Sequence, residues 1–508
     1  MFLGMHIGIH DTNISLYNDK TRKSHYAKYE RHSGKKHGVA NLEWIVETLK
    51  KWGIEEPHKE IKHFVSCDSF YEDPTWQDGD TIFYGGSPTT KYAVHNIFSN
   101  SVIDPLLINN FHCIRQMKTT WQAKYDSVDH HILHTYSTLR KYKQCVLDGK
   151  GVGNRYGLVN DKILEIGKDG WPFGSYLVRI GLPMGLDTGH EINDALDIPG
   201  KIMGLQAYGN IKEKHRFKDV HLLNAPFTID NPSFHNKDWL DFVATSHDTL
   251  VQESLQFFED NFTKDEPISY SGGVALNVVA NAAIKKQYNI KIPPQCGDEG
   301  LSIGALAYLG ELYDFEVEFD NFPFCQDDEL PWNEVCSSTI KATAEALARG
   351  KIVGWYQGHG ELGPRALGNR SILMDPTIKN GKQKINTIKK REPWRPFGAS
   401  VKEDQAHRFF EMTESRYMLY NTEVKYSGIP AVTHRDGTCR HNTVTPEMNP
   451  AYYELLDEFE KLTGVPMLLN TSLNLQGGPI CGTRDQAIQL FNESTLDQLV
   501  IGSKTWRR

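Results

Sequence analysis

The segment PISYSGGVALN (residues 267–277) decides the fold class, because a short apolar strand passes directly into a glycine turn that opens a helix. The helical pattern continues over residues 274–287. Outward from this segment, strand-like runs recur near 143–147 and 155–166, and another helical run covers 302–313. Such alternation of strands and helices predicts an α/β fold.

The chain changes character between Phe319 and Trp332, where it is polar, acidic and proline-bearing (DNFPFCQDDELPW). Beyond this stretch, the amphipathic pattern TIKATAEALARG and the strand-like run KIVGWYQG begin a new α/β pattern. A chain of 508 residues is also too long for one ordinary hydrophobic core. We therefore predict two domains, 1–332 and 333–508.

The composition is that of a water-soluble globular protein, with 39% hydrophobic and 24% charged residues. The apolar runs are shorter than the roughly 18 residues that cross a bilayer, and MFLGMHIGIHDTN (1–13) lacks the basic start of a signal peptide. The eight cysteines form no CxxC pair, which favours a reducing cytoplasm. The net charge of −8 argues against a large non-specific nucleic-acid surface.

Two histidines and two aspartates have the arrangement of metal ligands. His130 and His134 are four residues apart, so a helix places both imidazoles on one face, and Asp129 is suited to cap that helix. Asp148 and Asp298 each stand in a short glycine-bearing turn. Because imidazoles and carboxylates together suit a divalent transition metal, the set predicts a His2Asp2 site. The alternative is chance spacing among 21 histidines, with both aspartates serving ordinary turns.

Two segments have the pattern of anion sites. Gly272 and Gly273 precede a helix, and such a turn offers free N–H groups and the positive helix end to an anion. Later, Arg365 lies in the glycine-rich run GHGELGPRALGNRS (358–371), and KKREPWR (389–395) follows. Arginine offers a bidentate fork to phosphate and lysine a mobile charge. Each segment alone could be a solvated loop, but together they predict a phosphate site in the second domain.

Taken in order, the motifs resemble those of the O-carbamoyltransferase family, which includes nodulation-factor, cephalosporin, tobramycin and ansamycin carbamoyltransferases. GPRALGNRSIL (363–373) beside SGGVALN is the most specific combination. The resemblance covers nearly the whole chain and rests on these further motifs: His10-Asp11, YER (29–31), KKH (35–37), VDHHILH (128–134), VLDGKG (146–151), GKIMGLQAYG (200–209), KKREPWRPF (389–397) and LLNTSLN (468–474).

The resemblance implies both a fold and a two-step reaction. An N-terminal actin-like (sugar-kinase-like) domain would bind metal and nucleotide, and a C-terminal α/β domain of the threonylcarbamoyl-AMP synthase type would bind carbamoyl phosphate. The C-terminal domain would form carbamoyl-adenylate from carbamoyl phosphate and ATP. The N-terminal domain would then pass the carbamoyl group to a hydroxyl.

The resemblance also implies roles for individual residues. His10 would be the base that deprotonates the acceptor, and Lys36 would be a second catalytic residue that contacts the nucleotide or the carbamoyl group. A divalent ion, Fe(II) by resemblance or Mg(II) as an alternative, would be bound by His130, His134, Asp148 and Asp298. The nucleotide contacts would be Gly272, Gly273 and Asn277. The carbamoyl phosphate contacts would be Arg365, Lys390, Arg440, Asn470 and Ser472.

Three departures from the family pattern concern carbamoyl phosphate binding. His359-Gly360 stands where Arg-Ser is usual, Gly478 replaces a glutamate, and Arg416 stands where proline is common. Every residue expected to bind metal or phosphate is nevertheless present.

The acceptor is the least determined part of the prediction. We expect a natural-product hydroxyl or a 5-hydroxymethyl pyrimidine, as nucleotide or DNA, with Trp76 or Trp121 as a stacking surface or simply as core. A homodimer is expected by analogy only. The alternatives are an actin-like kinase or ATPase, which would release ADP rather than pyrophosphate, a tRNA threonylcarbamoyl-adenosine enzyme and a non-enzymatic binding protein.

Overall fold

The structure is a computed structural model, and the part of the chain that it describes consists of residues 1–7, 10–68, 114–117, 123–139, 142–148, 154–159, 162–168, 171, 173–181, 186, 192–216, 234–326 and 335–508. The two tryptophans proposed for the acceptor pocket, Trp76 and Trp121, lie outside these residues.

The described chain contains both helices and strands, so the predicted α/β class is confirmed. The strands are β1 (Phe2–His6), β2 (Asn13–Asn18), β3 (Lys23–Lys28), β4 (His63–Asp68), β5 (Ile114–Met117), β6 (Lys124–Asp129), β7 (Lys143–Val146), β8 (Asn154–Val159), β9 (Lys162–Lys168), β10 (Pro267–Ser271), β11 (Asn289–Lys291), β12 (Val353–Tyr356), β13 (Arg370–Met374), β14 (Gly398–Lys402), β15 (Thr422–Glu423), β16 (Thr438–Cys439), β17 (His441–Val444), β18 (Met467–Ser472), β19 (Gln498–Ile501) and β20 (Lys504–Arg507). The α-helices are α1 (Tyr29–Ser33), α2 (Leu42–Lys51), α3 (Pro57–Glu60), α4 (His130–Ser137), α5 (Phe173–Gly181), α6 (Ile198–Leu205), α7 (Lys237–Asn261), α8 (Val278–Lys285), α9 (Leu301–Tyr313), α10 (Ser337–Ala348), α11 (Gly381–Ile388), α12 (Pro450–Thr463) and α13 (Arg484–Glu493).

The chain packs into two compact units that are interleaved in sequence. Unit 1 contains Met1–Lys141, Gln295–Asp328 and His359–Pro364, and unit 2 contains the remaining segments. The sequence instead predicted two consecutive functional domains, 1–332 and 333–508, and that division stays a prediction.

Unit 1 is built on a sheet with strand order β3-β2-β1-β4-β6-β5. Strand β1 pairs antiparallel with β2 and parallel with β4, and β4 pairs parallel with β6. The carboxyl ends of these three parallel strands therefore meet at one edge, where His6 lies opposite Cys67 and Asp68 lies opposite Asp129. This edge leads directly into α4.

Two glycines of unit 1 allow unusually close packing around α9. A Cβ at Gly4 of β1 would lie 2.1 Å from the backbone oxygen of Ser302, and one at Gly304 would lie 2.0 Å from that of Leu133 in α4. Only glycine lets these backbones approach so closely. As a result, the N-terminus of α9, which follows Asp298, is held against both the central strand and α4.

Unit 2 contains two further sheets. The first has the order β9-β8-β7-β10-β11, with two antiparallel pairings followed by two parallel ones. The run β3-β2-β1-β4-β6 of unit 1 has the same sequence of pairings. The predicted run 155–166 falls on two strands, β8 and β9, which pair antiparallel.

The second sheet of unit 2 has the order β17-β14-β18-β13-β12-β19-β20. Helices α10 and α12 cover one face through residues such as Leu347 and Phe459, and α11 and α13 cover the other through residues such as Ile385 and Leu490. Among the described helices, none is long and apolar enough to span a bilayer.

Candidate metal centre and cationic cluster

Helix α4 presents the two predicted imidazoles as its sequence indicates. Asp129 caps the helix by accepting hydrogen bonds from the N–H groups of His131 and Ile132, at 2.8 and 3.2 Å. His130 and His134 are buried and point the same way, with 3.2 Å between their Nε2 atoms. The predicted helix, its cap and its histidine face are therefore present.

Asp298 completes a triangle of ligand atoms with these histidines. Its Oδ1 lies 3.4 Å from Nε2 of His130 and 3.4 Å from Nε2 of His134. Atoms that bind one ion at about 2.0–2.2 Å lie roughly 3.0–3.5 Å from one another in tetrahedral or octahedral geometry. We call His130, His134 and Asp298 the metal centre, because their donor atoms and spacing fit a divalent transition metal.

The charges around the metal centre favour an ionised carboxylate. Burial alone would raise the pKa of Asp298, but His130, His134 and His10 hold that pKa well below its usual range. Asn13 anchors the backbone at this point, because its side-chain amide donates to the carbonyl oxygens of Asp298 and Asp11. A cation in this site would therefore meet a fixed negative charge.

His10, the predicted base, lies beside the metal centre. Its Nδ1 is 3.0 Å from Oδ2 of Asp11 and 3.5 Å from Oδ2 of Asp298. Although burial lowers the pKa of His10, the hydrogen bond to Asp11 and the charge of Asp298 outweigh that effect and raise it. An Nδ1–H bond to Asp11 leaves Nε2 as the nitrogen that can accept a proton.

Asp11 is the centre of a buried charge network. Lys28 Nζ lies 2.8 Å from Asp11 Oδ1 and 3.1 Å from Glu30 Oε1, and His37 Nδ1 lies 2.8 Å from Asp11 Oδ2. Burial raises the pKa of Asp11, but these cations hold it well below its usual range. Lys36, the second predicted catalytic residue, is partly buried next to His37 in the chain, and its catalytic role stays a prediction.

Asp148 and the glycine turn lie together in unit 2. Oδ1 of Asp148 accepts a 2.7 Å hydrogen bond from the N–H of Gly273. Gly272 has φ +93°, and a Cβ there would lie 2.3 Å from the oxygen of Leu147, so the turn requires glycine. Asn277 caps α8 and contacts buried His247. Metal binding by Asp148 and nucleotide binding by the turn stay predictions.

Four arginines of unit 2 form what we call the cationic cluster: Arg365, Arg391, Arg395 and Arg440. Burial and the charges of Arg365 and Arg391 hold the pKa of Arg440 well below its usual range. Burial and Arg395 lower the pKa of Arg391 to about 9. Nε of Arg440 has no hydrogen-bond partner among the described residues. Guanidinium groups that repel one another in this way are stabilised by a bound anion.

The remaining predicted phosphate ligands lie at β18 and after α11. Asn470 is buried and donates to the oxygen of Ala366 and to Oγ of Ser400. Ser472 accepts a hydrogen bond from the buried lysine Lys389, whereas Lys390 is exposed. Contacts of Lys390, Asn470 and Ser472 with carbamoyl phosphate stay predictions.

Sequence reasoning did not single out two residues that belong to these sites, His6 and Lys28, and it named Lys389 only as part of the basic segment 389–395. His6 is a single histidine in an apolar strand, which gives no motif. The alternation of β1 is the one available signal, since it places a strand-end histidine at the edge where the parallel strands finish. Lys28 adjoins the motif YER (29–31) but looks like an ordinary solvated lysine in the sequence.

Residues 344–508 match a family model described as the carbamoyltransferase C-terminus. The chain is also similar to nodulation protein NolNO of Sinorhizobium fredii, with 37% identity over 56% of this chain and 45% of that protein. The 3'-hydroxymethylcephem-O-carbamoyltransferase of Streptomyces clavuligerus is 29% identical over 66% of this chain and 69% of its own length. The match to the nodulation protein thus spans about half of that protein.

Among solved structures, the chain is similar to a putative 2-dehydro-3-deoxygalactonokinase from Sinorhizobium meliloti. The match covers 61% of this chain and 99% of that one. The TM-score of 0.30 and the sequence identity of 8% are too low to support an argument about function. The family assignment therefore rests on the sequence matches. Residues 344–508 match the carbamoyltransferase C-terminus, and the resemblance of this chain to the O-carbamoyltransferase family is confirmed.

Proposed function

We propose that the chain is an ATP-dependent O-carbamoyltransferase that makes carbamoyl-adenylate and transfers its carbamoyl group to a hydroxyl. The observation that supports this most strongly is the presence in one chain of two complementary sites. The metal centre is arranged for a cation, and the cationic cluster, inside the carbamoyltransferase C-terminal domain, is arranged for phosphates.

In the first step, water hydrolyses carbamoyl phosphate to carbamate and phosphate, and the carbamate oxygen attacks the α-phosphorus of ATP. The P–O bond to the pyrophosphate breaks, and pyrophosphate leaves. Arg365 and Arg440 would neutralise the charge of the phosphates, with Lys390, Asn470 and Ser472 as further contacts. Arginine suits this role because its planar fork matches phosphate oxygens.

In the second step, the acceptor hydroxyl attacks the carbonyl carbon of carbamoyl-adenylate, and the bond to the phosphate oxygen breaks to release AMP. Nε2 of His10 would take the hydroxyl proton, because Asp11 fixes the proton of Nδ1. A divalent ion, expected to be Fe(II), would supply Lewis-acid polarisation of the carbonyl when bound by His130, His134, Asp298 and Asp148. Lys36 and the Gly272-Gly273 turn, with Asn277, would contact the nucleotide.

The sheet topology supports an actin-like assignment for the transfer portion. Two five-strand runs with the same order and the same sequence of pairings indicate a duplicated sheet. Actin-like and sugar-kinase-like domains are the folds that the glycine turn resembles. The threonylcarbamoyl-AMP synthase type of the C-terminal domain belongs to the same proposal.

The acceptor is proposed as a hydroxyl of a small molecule. One relative is named for its action on a 3'-hydroxymethylcephem, which has a hydroxymethyl group on a ring. A 5-hydroxymethyl pyrimidine presents the same group, as a nucleotide or in DNA. Binding to modified DNA would weaken steeply with salt, since phosphate contacts release counterions.

The first test follows pyrophosphate without any acceptor. The full chain is incubated with Fe(II) or Mn(II), ATP and carbamoyl phosphate, and products are identified by mass spectrometry. The proposal expects pyrophosphate that depends on carbamoyl phosphate and disappears in Arg365→Ala. Production of ADP, or no turnover at all, would contradict carbamoyl transfer, and ADP would favour the alternative of an actin-like kinase or ATPase.

A further inference from the structure

The carboxylate of Asp298 faces nitrogen donors on two sides. Its Oδ1 is shared by His130 and His134, at 3.4 Å from each. Its Oδ2 faces away from them, with Nδ1 of His10 at 3.5 Å and Nε2 of His6 at 3.9 Å. The metal centre includes Oδ1, and Oδ2 is not one of its ligand atoms.

His6 needs a partner that the described residues do not supply. It lies at the carboxyl end of β1 with 2% exposure, and neither of its ring nitrogens has a hydrogen-bond partner among the described residues. Leaving a buried polar group unpaired is destabilising, so native proteins nearly always give it a partner. Its ring lies 6.3 Å from that of His10 and 6.2 Å from that of His130.

We propose that His6 Nε2, His10 Nδ1 and Asp298 Oδ2 form a second site for a divalent transition metal ion, with Asp298 as a carboxylate bridge to the metal centre. These three ligand atoms lie within 4.8 Å of one another. Two imidazoles and one carboxylate suit ions such as Mn(II), Fe(II) and Zn(II). Ions that share a bridging ligand are about 3.5–4 Å apart.

The second site is the weaker of the two. Its donor atoms are 3.5 and 3.9 Å from the shared carboxylate oxygen, wider than the 3.4 Å of the metal centre, so they must close around the ion. His10 must also release its 3.0 Å contact with Asp11. An ion therefore fills the metal centre first and this second site only at higher concentration.

Filling the second site inhibits carbamoyl transfer, a consequence that rests on the proposed role of His10 as base. A bond from Nδ1 to the ion moves the imidazole proton to Nε2, and that nitrogen can then no longer accept a proton from the acceptor. Activity is thus expected to rise with the first equivalent of metal and to fall with the second. The site itself does not depend on this role.

The test measures how many metal ions the chain binds, and it does not depend on carbamoyl transfer. The metal-free full chain is titrated with Mn(II) by calorimetry, and bound manganese is measured after gel filtration. Wild type is expected to bind two ions, and His6→Gln one, with a loss of about 100-fold or more in affinity at the second site. His58→Gln, which alters an exposed histidine of the same unit, serves as the matched control and keeps both ions.

Two results would overturn the second site: a single ion in saturated wild type, or two ions in His6→Gln. If His6→Gln loses both ions through misfolding, electron paramagnetic resonance of wild type decides. Two Mn(II) ions that share Asp298 give a spin-coupled spectrum, whereas isolated ions only would refute the proposal. Loss of metal inhibition in His6→Gln tests the consequence for catalysis separately.

Discussion

The metal centre of unit 1 and the cationic cluster of unit 2 are opposite solutions to the same problem of buried charge. In the metal centre, an ionised Asp298 lies between imidazoles that converge on it. In the cationic cluster, Arg440 lies among like charges, and repulsion and burial lower its pKa. The first arrangement would suit a cation and the second an anion. The sign of the buried charge therefore indicates the ligand that we propose for each site.

The largest effect is expected on metal affinity, when the charge of Asp298 is removed. Asp298→Asn keeps the shape of the side chain but removes the charge that holds the ion, so affinity for Mn(II) should fall by more than about 100-fold. Calorimetric titration measures this affinity. Asp320→Asn is the control, because Asp320 is an exposed carboxylate of the same unit that pairs with Lys23. Unchanged metal binding in Asp298→Asn would contradict the metal centre.

Removing a charge from the cationic cluster should stabilise the protein in the absence of ligand. Arg440→Gln relieves repulsion by Arg365 and Arg391, so the Tm measured without ligand should rise. Stabilisation by added pyrophosphate should be lost, and pyrophosphate release should slow by about 100-fold, as when one donor to a developing charge is removed.

The control for that variant is Arg408→Gln, because Arg408 is an exposed arginine of unit 2 that pairs with Glu460. Arg408→Gln should leave three quantities unchanged: the Tm without ligand, the stabilisation by added pyrophosphate and the rate of pyrophosphate release. If Arg440→Gln lowered the Tm instead, Arg440 would stabilise the free protein through ion pairs of its own. The contrast between the cationic cluster and the metal centre would then be wrong.

The smallest effect is expected from three histidines: the pKa values of His247 and His441 in unit 2 are lowered, whereas that of His10 in unit 1 is raised. Burial lowers the pKa of His247 to about 4 and of His441 to about 3. The unfolded chain binds these protons first, so each histidine removes stability as pH falls below about 6.5, by roughly 1–1.5 kcal/mol between pH 7 and 5.5. Urea unfolding at these two pH values measures the effect, and His441→Phe should remove its share.

His10 should show the opposite dependence. Because its pKa is raised in the folded protein, its contribution to stability is fully present below the unfolded pKa and is lost as pH rises through the folded pKa. Histidine resonances followed by NMR in the metal-free protein report this titration. A His10 that titrates below the ordinary value would contradict the contacts with Asp11 and Asp298.

The sequence predicted the parts of these sites that are local in the chain. The spacing of His130 and His134, the cap at Asp129 and the glycine turn at Gly272 each follow from backbone geometry over a few residues. The α/β class followed from alternating periodicity. The role of Arg440 as a carbamoyl phosphate ligand entered the prediction through resemblance to a family, since a single arginine after Cys439 does not by itself indicate that ligand.

Contacts that depend on tertiary packing could not be predicted. Asp298 meets α4 because Gly4 and Gly304 let α9 approach both neighbours, and no spacing rule reports that. The lack of a hydrogen-bond partner for the His6 ring among the described residues depends on which strand ends share an edge. The exposure of Lys390 beside buried Lys389 depends on how α11 ends and could not be read from two adjacent lysines.

The most direct test of a division of labour between the two sites is to measure carbamoyl-adenylate and pyrophosphate, without acceptor, in wild type, Asp298→Asn and Arg440→Gln. We propose that adenylation takes place in the C-terminal domain, so Asp298→Asn should still form both products at the wild-type rate, and Arg440→Gln should form both about 100-fold more slowly. If Asp298→Asn abolished pyrophosphate while Arg440→Gln released it at the wild-type rate, the assignment of the two steps to the two sites would be wrong.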